Sequence, residues 1–113
     1  ESRTIQGEVL HIDRFGNIVT SIGRFEWLDA ANTLQLTPRF GSGEARTIAA
    51  TRTIIRLGSC VLQGIVPSYS ATAPGNLLAL IGSAGWLEIA VNQGSAASRM
   101  AVTPGMPVIL ELN

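Results

Sequence analysis

Hydrophobic and polar residues alternate in short runs along the chain, and turn-forming residues separate the runs. An alternating run stands on each side of the dipeptide Gly16-Asn17. A period of two is typical of a strand that buries one face, and Gly and Asn both tolerate the positive φ of tight turns. The pattern therefore predicts a β-hairpin over about residues 5–22. At its tip stands Phe15, although a hairpin turn does not need an aromatic ring.

The same kind of pattern continues beyond the hairpin, with one helical interruption near the end. The strand over residues 86–92 should turn Leu87, Ile89 and Val91 inward and Glu88, Ala90 and Asn92 outward. Ser95 is placed to cap a short helix near residues 95–101. The other expected elements are one helical turn within 23–32, a strand over 33–37, a glycine-rich loop over 39–45, one or two strands over 45–55, a strand over 59–66 that Pro67 ends, a turn at 73–76, a buried strand over 77–82 and a closing strand over 107–112.

These elements amount to seven or eight short strands, about one in every dozen residues, with turns between them. Such spacing is typical of an antiparallel barrel or sandwich. We therefore expect an all-β fold, a small antiparallel β-barrel with one or two short helices. The length of 113 residues suits a single domain over 1–113, and a hydrophobic content of 46% is enough for a core.

The charge content excludes some partners. Charged residues make up only 14% of the chain, the formal net charge is zero, and the basic residues are scattered. We therefore expect neither nucleic acid nor a membrane surface as a partner. The low charge also hints that part of the surface is covered by something other than solvent.

The residues alone supply little catalytic chemistry. One histidine and one cysteine, far apart, favour neither a metal site nor an intrachain disulfide, and no phosphate-binding glycine loop is present. His11 and Asp13 share a strand face, either as a dyad or as a hydrogen-bonded pair on the barrel exterior. On its own chemistry the chain is typical of a binding or assembly domain, with no catalytic residue, metal or cofactor.

Two stretches resemble a known family. They are "GEVLHIDRFGNIVTSI" at residues 7–22 and "LIGSAGWLEIAVNQGSAA" at 80–97, with "PSYSATAPGNLLALIG" at 67–82 leading into the second. Together they are similar to the C-terminal domain of the S-adenosylmethionine (SAM) hydroxide adenosyltransferases, relatives of the fluorinase and chlorinase enzymes. Ala84 stands where the halogenating members carry arginine.

The resemblance implies a function for a longer protein. Members of this family attack C5′ of SAM with water or hydroxide and release adenosine and methionine; a halide nucleophile is the less favoured variant. SAM is then substrate, not cofactor. The catalytic groups lie in an N-terminal α/β domain, so this chain would be the C-terminal domain of a two-domain protein. The family also implies a homotrimer, in which the neighbouring subunit completes each site.

The resemblance further implies a set of substrate-binding residues. Phe15 and Tyr69 would line an adenine slot, Asn17 would bind the N6 and N7 edge, and Ser83 would bind the methionine end. Backbone groups of Val91, Asn92 and Gln93 would contact the same adenine edge. The sequence leaves alternatives open: Asn17 and Asn92 as turn residues, Tyr69 as part of the barrel rim, and Ser83 as a loop cap.

A second hypothesis belongs to another class of protein. The chain would then be a free-standing small β-barrel that binds a ligand or a partner chain without catalysis. An N-terminal α/β segment in the same polypeptide distinguishes the enzyme from the binding module. Under either hypothesis, no signal peptide or long apolar run is visible, and we expect a cytoplasmic protein.

Overall fold

The computed structural model describes residues 3–29, 32–38 and 44–112. The regular secondary structure of the described residues is almost entirely β-strand, with one four-residue α-helix and two 3₁₀ turns. The elements are β1 (Thr4–Ile12), β2 (Ile18–Thr20), β3 (Gly23–Asp29), β4 (Thr33–Pro38), β5 (Arg46–Ala49), β6 (Thr53–Leu57), β7 (Cys60–Gln63), β8 (Leu77–Ile81), β9 (Leu87–Val91), α1 (Ala96–Arg99), β10 (Pro107–Leu112) and the 3₁₀ turns Ala50–Arg52 and Tyr69–Ala71.

Seven of the strands form one antiparallel sheet that almost closes on itself. Their order is β7-β6-β10-β1-β2-β9-β8. The backbone N–H of Val66, just after β7, donates to the carbonyl of Ala79 in β8 at 2.8 Å, which bridges the two edges. This confirms the expected all-β, barrel-like fold. The described residues contain ten strands instead of seven or eight.

The remaining three strands form a second antiparallel sheet in the order β3-β4-β5. The prediction of a helical turn within residues 23–32 is wrong over the described residues 23–29, which form β3. In β3, Phe25 is buried while Arg24 and Glu26 are exposed, and this alternation pairs with β4. The N–H of Phe25 also donates to the carbonyl of Gly85 at 2.8 Å, which ties this sheet to the β8–β9 turn.

Most of the other local predictions are confirmed. β1 and β2 form the expected hairpin, residues 45–55 contain two strands, and the closing strand is β10. The predicted glycine-rich loop at 39–45 lies outside the described residues over 39–43. No helix in the described residues is long and apolar enough to cross a membrane.

The core fills the space between the sheets. Leu87, Ile89 and Val91 face it, as the alternation of β9 predicts. Ala90 does not point to solvent as expected, because it is completely buried with Leu78 and Leu80 in a smaller cluster on the outer face of β8 and β9. Val66, in the segment that follows β7, packs against this cluster, so Ala90 is buried although it faces away from the main core.

The short helix α1 packs against the tip of the β1–β2 hairpin. The hydroxyl oxygen of Ser95 accepts the N–H of Ser98 at 3.2 Å, which confirms Ser95 as the N-cap. The N–H of Ala97 donates to the carbonyl of Gly16 at 3.0 Å. Gly16 has a φ of 85°, and a Cβ there would lie 1.9 Å from the Ser95 hydroxyl oxygen. Only glycine therefore permits this close contact.

Candidate functional site

A pocket of about 370 Å³ opens where three segments meet: the hairpin tip, the Tyr69–Ala71 turn and the chain after β9. Six of the seven residues expected to bind substrate line it, although they come from distant parts of the sequence. Gly94 lines it as well, a position that no sequence pattern indicated. The full lining is Phe15, Asn17, Tyr69, Val91, Asn92, Gln93 and Gly94.

The hairpin tip is a rigid turn built around Asp13. One carboxylate oxygen of Asp13 accepts the N–H groups of Phe15 and Asn17, both at 2.9 Å, and its carbonyl accepts the N–H of Gly16 at 2.9 Å. This oxygen serves the turn, and among the described residues no hydrogen bond joins His11 to Asp13. The Phe15 ring is consequently held outward and is 68% exposed.

The Phe15 ring also has a cationic neighbour. The guanidinium carbon of Arg14 lies 5.3 Å from the ring centroid, within the range of a cation–π contact. The ring therefore carries an interaction of its own at the pocket rim, although most of its surface is open to solvent.

Asn17 connects the hairpin to the Tyr69–Ala71 turn. Its side-chain nitrogen Nδ2 donates to the hydroxyl oxygen of Tyr69 at 2.9 Å, across 52 positions of sequence. Asn17 is only 7% exposed, whereas Tyr69 is 40% exposed. Of the Gly16-Asn17 pair only Gly16 has a positive φ, so the side chain of Asn17 acts beyond the turn itself.

Asn92 holds the loop that follows Tyr69. Its N–H donates to the carbonyl of Asn76 at 3.2 Å, its carbonyl accepts the N–H of Gly75 at 2.8 Å, and its Nδ2 donates to the carbonyl of Thr72 at 2.6 Å. The first two bonds use the Asn92 backbone groups that the family resemblance assigned to the ligand. Asn92 is thus built as an anchor of one pocket wall.

Arg99 and Gln93 complete this wall in different ways. Arg99 of α1 donates to the carbonyl of Gly75 at 2.8 Å, a second anchor that no local sequence pattern indicated. Gln93 has a φ of 60° and is the one described non-glycine residue with a positive φ. Backbone strain of this kind clusters at binding sites.

Comparison with known proteins shows the family to which the chain belongs. The model of the SAM hydroxide adenosyltransferase C-terminal domain matches residues 7–109. A curated (R)-S-adenosyl-L-methionine hydrolase from Thermus thermophilus is 37% identical over 107 residues, which are 93% of this chain and 31% of that protein. The chain belongs to the SAM hydroxide adenosyltransferase C-terminal domain family.

Two solved structures share the fold of this chain. A conserved hypothetical protein from Thermus thermophilus aligns with a TM-score of 0.63 at 28% identity, over 99% of this chain and 36% of that one. An uncharacterized conserved protein from Thermotoga maritima aligns with a TM-score of 0.65 at 24% identity, over 97% of this chain and 36% of that one. The chain spans about a third of the length of the relatives it matches.

Ser83 is the expected substrate-binding residue that the fold does not bring to the pocket. It stands before β9, whereas Asn92 and Gln93 follow it, and five strand residues at about 3.3 Å each separate the two ends by about 17 Å. Ser83 instead lines a separate groove of about 320 Å³ beside β3 and β4. The lining of that groove is Arg24, Phe25, Glu26, Gln35, Thr37, Ser83, Ala84 and Gly85.

The titratable side chain of Glu88 lies on the outer face of β9 in the seven-stranded sheet. The strand register places His11 beside Val19 and Val19 beside Glu88. Burial raises the pKa of the Glu88 carboxyl, the Asp13 carboxylate raises it further, and His11 opposes both. Among the described residues, no group of three or more His, Cys, Asp or Glu could hold a metal ion.

Proposed function

We propose that this chain holds the adenosine part of SAM in the 370 Å³ pocket, as the C-terminal domain of an enzyme that hydrolyses SAM to adenosine and methionine. One observation carries the proposal. Residues from three distant segments, all expected from the family resemblance to bind a nucleoside, line one pocket. The T. thermophilus relative, 37% identical, is named a hydrolase of (R)-S-adenosyl-L-methionine, which supports the same substrate class.

The pocket has the size and surface that a nucleoside requires. Small-molecule sites have volumes of about 300–1,000 Å³, and aromatic rings stack on a base for about 1–3 kcal/mol each. Phe15 is exposed at the rim and Tyr69 is partly exposed, so both rings are accessible to a base. Gln93 adds backbone groups that make no hydrogen bond within the described part of the chain.

The proposed reaction is a displacement at C5′ of the bound sulfonium. The oxygen of water bonds to C5′ as the C5′–S bond breaks, and the electron pair of that bond stays on sulfur to give methionine. The water proton passes to a base outside this chain. SAM is consumed as substrate, and Ala84, where halogenating members carry arginine, favours water over halide. The chain contributes by fixing the adenine end, which aims C5′ at the nucleophile.

The proposal includes partners that complete the site. These are an N-terminal α/β domain of the same polypeptide and neighbouring subunits of a homotrimer in the cytoplasm, with no nucleic acid or membrane involved. In support, the chain covers about a third of its relatives, and Ser83 lies apart from the pocket. A second chain covering the exposed Phe15 would also account for an aromatic ring at a hairpin tip.

The test measures adenosine and methionine released by the full-length protein from SAM of either configuration at sulfur. We expect equal amounts of the two products from the full-length protein and none from the 113-residue chain. No release from the full-length protein would refute the enzyme, and a comparable rate from the chain alone would refute the assignment of the base to another domain. Adenosine binding without hydrolysis would favour the free-standing binding module.

A further inference from the structure

The groove of about 320 Å³ beside β3 and β4 contains both a positive and a negative side chain. In β3, Arg24 and Glu26 flank the buried Phe25, so both exposed side chains lie on the same face of the strand. Their Cα atoms are about 7 Å apart at the usual rise of a strand. Their partners in β4 are Thr37 and Gln35, which line the groove as well. A cation and an anion therefore stand next to each other, bordered by neutral hydrogen-bonding groups.

Contact with Trp86 orients Arg24 without using its hydrogen-bond donors. The guanidinium carbon lies 5.4 Å from the Trp86 ring centroid, within the range of a cation–π contact. Gly85 leaves room for it, because a Cβ there would lie 3.1 Å from Nε of Arg24. Among the described residues, no hydrogen bond or ion pair engages the side chain of Arg24 or Glu26. The N–H donors of the guanidinium and the carboxylate oxygens are therefore available to a ligand.

The two charges determine which class of ligand fits. A simple anion would meet the Glu26 carboxylate, and a simple cation would meet the Arg24 guanidinium, so each would be opposed by a like charge. A group that carries both charges is complementary to both residues. We propose that the groove binds a zwitterionic α-amino acid group, with Arg24 donating to its carboxylate and Glu26 accepting from its ammonium. The volume of the groove lies within the usual range for small ligands.

The inference goes beyond the proposed function, because this groove is separate from the 370 Å³ pocket. The family resemblance placed only Ser83 at the methionine end, and neither Arg24 nor Glu26 lies in its motifs. Ala84 removes the arginine of the halogenating members, and Arg24 is the one guanidinium among the lining residues. The ligand can be a free amino acid or the amino-acid part of SAM, since both present the same group. The choice of methionine as the probe rests on the proposed function.

The experiment measures the affinity of the full-length protein for L-methionine, its methyl ester and N-acetyl-L-methionine by calorimetry. The ester lacks the carboxylate and the acetyl derivative lacks the ammonium, so each should bind at least about tenfold more weakly than methionine. Arg24→Gln should weaken methionine at least about tenfold and leave the ester within about twofold of the parent. Glu26→Gln should weaken methionine similarly and leave the acetyl derivative within about twofold.

Arg56→Gln is the matched control. Arg56 forms an exposed ion pair with Glu111 and does not line the groove, so its loss should leave the affinity for methionine unchanged. The inference is wrong if the parent binds methionine and both derivatives alike, or binds none of them. It is also wrong if Arg24→Gln binds methionine as the parent does, or if Arg56→Gln weakens methionine as much as Arg24→Gln.

The KM for SAM separates the two sources of the amino acid group. If Arg24→Gln weakens methionine and raises this KM at least about tenfold, the amino-acid part of SAM occupies the groove. If it weakens methionine and leaves the KM unchanged, the ligand is a free amino acid. A full-length protein that releases no adenosine from SAM would refute the proposed function alone, because methionine binding is measured without the reaction.

Discussion

Replacing Phe15 with alanine separates its contribution to folding from its proposed contribution to binding. The ring is 68% exposed, so about a third of it is buried. Full burial of a phenylalanine contributes about 1.5–3 kcal/mol, so a third contributes about 0.5–1 kcal/mol. Loss of the exposed Arg14 cation–π contact adds about 0.5 kcal/mol. We therefore expect Phe15→Ala to lower the unfolding free energy by about 1–1.5 kcal/mol.

The effect on binding should be of a different kind. Loss of one stacking face on a base costs about 1–3 kcal/mol, which corresponds to a rise in the adenosine Kd of about 5- to 150-fold. The Kd is measured by calorimetry on the full-length protein. The unfolding free energy comes from denaturant titration of the same proteins.

Leu28→Ala is the matched control. Leu28 is 52% exposed, lies on β3 and does not line the pocket, so its loss should cost similar stability and leave the Kd unchanged. The reasoning is refuted if Phe15→Ala binds adenosine within about twofold of the parent, or if Leu28→Ala weakens binding as much. A stability loss well above about 3 kcal/mol would show instead that Phe15 is a packing residue.

The geometry around the pocket supports three further predictions. Gly16→Ala should lower the unfolding midpoint more than Gly75→Ala. Both glycines have a positive φ, but a Cβ at Gly16 would meet the N-cap serine of α1, whereas a Cβ at Gly75 would meet nothing. Equal shifts of the midpoint would show that this contact does not matter. Asn92→Ala should weaken adenosine binding because it removes the side-chain hydrogen bond to Thr72, which contributes about 0.5–1.5 kcal/mol. An unchanged affinity, measured by calorimetry, would show that the loop after Tyr69 keeps its position without this bond. The raised pKa of Glu88 makes the native state bind its proton more tightly than the unfolded chain, so stability falls as pH rises above about 4.5. The unfolding free energy of Glu88→Gln minus that of the parent should therefore be larger at about pH 7 than at about pH 4, as measured by denaturant titration. A difference that does not change with pH would contradict this.

The sequence by itself determined the features that depend on neighbouring residues. The β1–β2 hairpin follows from alternation around Gly16, and the α1 start follows from the hydroxyl of Ser95, because both are interactions within a few positions. The family resemblance likewise rests on contiguous motifs. It named six residues that the structure brings together.

Tertiary structure decided what depends on distant partners. Residues 23–29 form a strand because β4 pairs with them, and Ala90 is buried because the chain after β7 covers it; neither cause lies within those segments. The separation of Ser83 from the pocket follows from the length of β9. The hydrogen bond from Asn17 to Tyr69 exists only because the nearly closed sheet brings positions 52 residues apart within hydrogen-bonding distance, a contact that no local pattern encodes.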